Sequence, residues 1–164
     1  LRHASLAGAS MAGANLADVN TSTAETHLMS IRPATDYPAA YGQTNRTFIN
    51  PCDISLMVQS QPCTVRVYYG STLTGGTWTR ANANRAVEIG VGQSIAAAGV
   101  PVDTFVAAAG SSATVRAALS GSIDSQYPLA LSIAGDAPQA LTVAVTTISG
   151  SGTARAAMGW KEIR

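Results

Sequence analysis

Charge is what this sequence has least of. Asp, Glu, Lys and Arg make up 12% of its 164 residues, about half the usual share for a globular domain. Lys161 is the only lysine, and every other basic residue is arginine. Arginine favours planar, fixed hydrogen bonding over a freely solvated positive cloud. A net charge of +1 without any basic block excludes the electrostatic footprint of a nucleic-acid binder. No apolar run approaches the roughly 18 residues that a membrane-spanning helix needs. The N-terminal "LRHASLAGASMAGANLA", with its apolar content broken by Ser, Gly and Asn, makes a poor signal peptide. Ala, Ser, Thr and Gly stand where charge is missing. Two explanations are open: a surface that rests against other protein, or the codon bias of a GC-rich genome.

Catalytic groupings are missing as well. Cys52 and Cys63 are the only cysteines. The ten residues between them would span roughly 30 Å if extended, so two free thiols are expected unless a turn brings them together. With no His close by in sequence, a zinc site is not expected. His3 and His27 both fall near the N-terminus. None of the nine acidic residues pairs with another at a spacing that would set two carboxylates together along one element. Asp53, Asp103, Asp124 and Asp136 read as turn and strand-edge residues. "GQSIA" lacks the second glycine of a nucleophile elbow, "GVGQSI" lacks the third glycine of a dinucleotide fingerprint, and "GASMAG" lacks the lysine of a phosphate loop. The sequons "NTS" (20–22) and "NRT" (45–47) carry little weight without a signal peptide. These observations argue against an enzyme, and no cofactor or metal is expected.

What the chain does have is β structure. After Pro51, short apolar segments alternate with Gly, Ser, Pro and Asp turns: 54–59, 64–69, 85–92, 102–110, 112–121, 128–135, 140–150 and 153–163. The run "ISLMVQ" (54–59) reads as a strand buried on both faces. In "TVRVYY" (64–69) Val65, Val67 and Tyr69 share one face, and Thr64, Arg66 and Tyr68 the other. About eight strands fit an all-β sandwich, of jelly-roll or immunoglobulin-like type. The segment 26–51, with Pro33, Pro38 and Pro51, reads as an irregular extended path. Residues 1–27 read as an extended N-terminal arm ahead of a domain over 28–164. Leu6, Met11 and Leu16 recur every five residues in that arm, which suits neither a helix face nor a strand. Trp78 and Trp160 read as core or interface anchors.

The stretches "NPCDISLMVQSQPCTVRVYYGSTLTGGTW", "VEIGVGQSIAAAGVPVDTFVAAAG", "PLALSIAGDAPQALTVAV" and "AAMGWKEIR" together resemble virion structural proteins of tailed bacteriophages. The likeness is to the small β-sandwich modules used as capsid decoration, or cement, proteins and in fibres. It is one of texture over about residues 28–164. It implies a chain that binds the outer surface of a capsid by contact with the major capsid protein, as a homo-oligomer with the trimer the natural state. It places the chain on the virion surface after assembly in the host cytoplasm, and it brings no catalytic residues. Under that reading Leu6, Met11 and Leu16 of the arm and Tyr68, Tyr69 and Trp78 of the sandwich are the candidate interface residues. The alternative is a receptor- or carbohydrate-binding module of a tail or fibre, with Tyr68, Trp78 or Tyr127 stacking on sugars.

Overall fold

Alternating apolar side chains bury one face of a strand and leave the other wet, so several such strands must find a facing layer. The computed structural model describes residues 18–37, 41–82, 85–110, 127–136 and 138–163, with the backbone alone of 114–118. The strands among these residues are β1 (Val19–Thr21), β2 (Thr26–Pro33), β3 (Phe48–Gln59), β4 (Cys63–Tyr69), β5 (Thr72–Thr74), β6 (Thr77–Arg80), β7 (Val87–Val91), β8 (Ser94–Ala97), β9 (Val100–Ala107), β10 (Thr114–Ala118), β11 (Leu141–Thr147) and β12 (Gly152–Ile163). They form a four-stranded sheet in the order β1-β12-β3-β10, a six-stranded sheet in the order β6-β7-β2-β11-β4-β9, and a two-stranded ribbon β5-β8. Every pairing between them is antiparallel.

Leaving out β5 to β8, the other eight strands run first-eighth-third-sixth in one sheet and second-seventh-fourth-fifth in the other. This is the strand order of a jelly roll, in which successive strands alternate between the sheets except the fourth and fifth, β4 and β9, which pair with each other. The sandwich core lies between the sheets. Ile54, Leu56 and Val58 of β3 and Ala154, Ala156 and Met158 of β12 face Met29, Ile31, Val65, Val67, Leu141, Val143 and Val145 of the six-stranded sheet. Each fully buried Val, Leu or Ile contributes about 1.5–3 kcal/mol relative to exposure, and the closed sandwich is the arrangement that buries them all together.

Three expectations are corrected. "ISLMVQ" is not buried on both faces: Ile54, Leu56 and Val58 are buried, while Ser55, Met57 and Gln59 are half-buried. An edge-to-centre position in a two-layer sandwich covers only one face of a strand. Residues 26–33 are not an irregular path but β2, flanked by β7 and β11 and almost entirely buried. Its His27 and Ser30 disguise it, because polar residues in a buried strand erase the apolar signal. "PLALSIAG" does not form a strand. Leu129 makes an isolated bridge to Ile49, and the chain then turns, with Ser132 Oγ accepting the Gly135 and Asp136 N–H groups. The arm expected over 1–27 already contains β1 and the first two residues of β2. Val19 there packs on the core opposite Ala154. Cys52 and Cys63 form no disulfide with each other; they sit on strands of different sheets, and burial pushes the Cys63 thiol pKa up.

The inserted strands follow one path. From the end of β4 the chain must reach the far edge of the six-stranded sheet, where β6 and β7 add outside β2, and then return to β9 beside β4. Strands β5 and β8 carry it out and back, so the ribbon crosses β11 and β2. Both of its anchorages show this. The Gln93 amide lies against Gly90 of β7, where a Cβ would come within 2.4 Å of Oε1, and a Cβ on Gly99 would stand 2.0 Å from the Tyr69 carbonyl oxygen of β4. Only glycine tolerates the approach at Gly99, which is to backbone, whereas at Gly90 the neighbour is the movable end of a side chain. Leu73 and Ile95, paired across the ribbon, are its two half-buried side chains; the rest of β5 and β8 is exposed.

Candidate interaction surface

Register places one row of residues across the outer face of the six-stranded sheet: Trp78, Gly90, Ser30, Thr142, Tyr68 and Pro101. The ribbon crosses this row, which accounts for the full burial of Ser30 and Thr142 and the near-complete burial of Tyr68. The Tyr68 hydroxyl donates to Glu25 Oε1 at 2.8 Å, and Arg66 Nη1 donates to the same oxygen at 3.1 Å. Burial and the adjacent carboxylate raise the Tyr68 phenol pKa. Tyr69, on the opposite face, packs on the core beside Tyr127, with ring centroids 5.2 Å apart and planes tilted by 52°. The Arg32 guanidinium lies 4.0 Å from the Trp78 ring centroid, a cation–π stack, and Arg32 Nε donates to Glu88 Oε2 at 2.8 Å. The rings of Tyr68, Tyr69 and Trp78 are thus each engaged within the chain. Leu6, Met11 and Leu16 lie outside the described residues.

Exposed apolar side chains gather elsewhere. At the end of the sandwich where β3 begins and β12 finishes, Phe48 and Ile163 are cross-strand partners, 53% and 46% exposed. Beside them the 127–136 segment presents Ile133, 95% exposed. Phe48, Ala130, Leu131 and Ile133 line a shallow cavity of about 270 Å³ with Asn45, Arg46, Thr47 and Ser132. Arg46 Nη1 donates to the Ile133 carbonyl at 3.1 Å and ties the two loops together. Tyr41, 76% exposed, projects from the same β2–β3 connection. Contiguous exposed apolar side chains of this kind mark surfaces that meet another molecule. The readable trace in the sequence was "TFIN": Phe48 alternates with buried Ile49, so it had to face outward.

Two further features have structural roles. Asn45, of the sequon "NRT", is buried; its Nδ2 donates to the carbonyls of Ala34 and Ala86 at 2.9 and 3.0 Å, and its Oδ1 accepts the Thr47 N–H. It ties a loop and is not presented to solvent. His27, expected in the arm, is buried in β2 with Nε2 2.9 Å from Ser30 Oγ. The buried Ser30 beneath the ribbon and an Nδ1 without a hydrogen-bond partner make this a packed polar contact, without the orienting carboxylate of a nucleophilic triad. Burial lowers the His27 pKa to about 4. Among the described residues no three His, Cys, Asp or Glu side chains are placed to hold a metal ion, and no helix is long and apolar enough to cross a membrane.

What these observations define is a jelly-roll sandwich with an apolar end. Compared with models of protein families, with curated proteins and with solved structures, the chain gives no significant match.

Proposed function

We propose that this chain is a structural virion protein, a decoration or cement protein that binds the outer surface of a phage capsid through the major capsid protein and stabilises it. The observation that carries the reading is the apolar end where exposed Phe48, Ile133 and Ile163 gather by the half-buried Leu131, on a sandwich with few charges. A cement protein adds buried area across neighbouring subunits, and each Å² of apolar surface removed from water contributes on the order of 25 cal/mol before association costs. A homotrimer is the oligomer that suits a threefold position of a shell. The other reading, a receptor- or carbohydrate-binding module, calls for free aromatic faces. Its candidates Tyr68, Trp78 and Tyr127 are each engaged by a neighbouring side chain.

The test is co-sedimentation of the purified chain with purified capsid shells, and of Phe48→Asp and Ile133→Asp variants alongside. Saturable binding by the wild type, lost in both variants, is the expected result. Failure of the wild type to bind any shell, with saturable binding to host cells or glycans instead, would transfer the chain to the tail or fibre.

A further inference from the structure

Strand β12 is a long strand with one short partner. On one side β3 pairs with it from Thr153 to Ile163, but on the other β1 covers only Gly152–Ala154. Among the described residues no strand lies beside the rest of that edge, from Arg155 to Ile163. An open edge carries a row of unpaired N–H and C=O groups and invites another strand. The far half of this one has the usual protection: a bulge falls between Gly159 and Trp160, and an exposed Lys161 follows it. The stretch Ala156–Gly159 has no such guard, for it contains neither a charge nor a proline.

The direction of β1 shows what comes next to that stretch. It runs antiparallel to β12, with Thr21 opposite Gly152, Asn20 opposite Thr153 and Val19 opposite Ala154. One step upstream the same register sets Asp18 opposite Arg155. There the Asp18 carboxylate accepts from both Arg155 Nε and Nη2, the latter at 2.8 Å. At Asp18 the chain is thus still in step with β12 and runs along the open edge. Continued by four residues, the register faces Ala17, Leu16, Asn15 and Ala14 with Ala156, Ala157, Met158 and Gly159. From Ala4 to Ala17 the sequence holds no charge and no proline. Strand pairing there would neither lack an N–H nor take a charge out of water. In the row that Leu16 would join, Ala157 is followed by Ser55 of β3, and both are small.

We propose that residues 14–17 extend β1 and are the occupant of the open β12 edge in the same molecule. A second copy or an unrelated strand lacks this continuity with a pairing already made by β1 and Asp18. Strand β12 runs on past Gly159 to Ile163, the cross-strand neighbour of Phe48. The segment before residue 14 is therefore led towards the apolar end, where Leu6 and Met11 add to the surface assigned to the capsid. That consequence rests on the proposed function; the pairing does not.

Hydrogen exchange on the full chain, read residue by residue and without any capsid, tests the pairing. Between Arg155 and Gly159 every second N–H points away from β3. These edge amides should be protected on the order of 100-fold in the wild type, and the double variant Ala14→Pro, Asn15→Pro should return them to near the intrinsic rate. Strands β3 and β11 should stay protected in both. Edge amides that exchange freely in the wild type, or that stay protected in the variant, would overturn the proposal. Protection that falls as the wild type is diluted would overturn it too, since the edge would then belong to a second copy. Should the variant fold poorly, the wild type decides by a cross-strand NOE between Leu16 and Ala157, whose absence would be equally fatal.

Discussion

At the scale of single residues, the polar groups of this protein matter most where they are buried. Asn45 looks on paper like a surface acceptor for a glycan, yet its amide satisfies three backbone groups from two connections. Asn45→Ala leaves the Ala34 carbonyl and the Thr47 N–H without those partners, and each such loss costs about 1–3 kcal/mol. Urea unfolding should show a loss on the order of 3 kcal/mol, while Asn20→Ala, at an exposed position, should leave the midpoint in place. Burial separates the two sequons, and nothing in three-residue patterns reports burial.

At the scale of elements, the β5–β8 ribbon is the part whose placement depends on backbone contact more than on side chains. Gly99 comes so close to the Tyr69 carbonyl that a methyl group cannot be accommodated without moving the chain. Gly99→Ala should therefore displace the ribbon: exchange at Ser94–Ala97 should accelerate at neutral pH, with β11 still protected. A variant whose ribbon stays as protected as the wild type would show that the crossing is held by Leu73 and Ile95 alone. Strand β2 teaches the complementary lesson. The run "THLMSIRP" reads as irregular because Pro33, Pro38 and Pro51 punctuate the segment it opens, yet His27, Ser30 and Arg32 among its apolar residues are compatible with a strand that is covered on both faces. Strands β4 and β11 are legible because their alternation is plain; the same is true of Ile54, Leu56 and Val58 in β3, whereas the half-burial of Ser55, Met57 and Gln59 between them is not.

At the scale of the whole molecule, the apolar end and the scarcity of charge act together. Phe48 and Ile133 are exposed and bear little of the fold's stability, so Phe48→Asp and Ile133→Asp should each shift unfolding by no more than about 0.5 kcal/mol. On the proposed function, capsid binding should also be nearly insensitive to salt between low and physiological ionic strength, since few charges are available to screen. Binding that falls steeply as salt is added would assign the contact to arginines instead. In the aromatic stretch "TVRVYYGSTLTGGTW" Tyr68 is buried with its hydroxyl on Glu25, while Tyr69 and Trp78 stay half-buried against Tyr127 and Arg32.

By itself the amino-acid sequence determined the all-β class, the turns that punctuate it and the face that most strands bury, because period-two alternation and turn residues are local properties. Tertiary structure alone decided the jelly-roll order, the crossing ribbon, the burial of His27 and Asn45, and which aromatics remain in view. Each of those depends on what a residue far along the chain lays over it, and long-range cover leaves no mark on the local pattern.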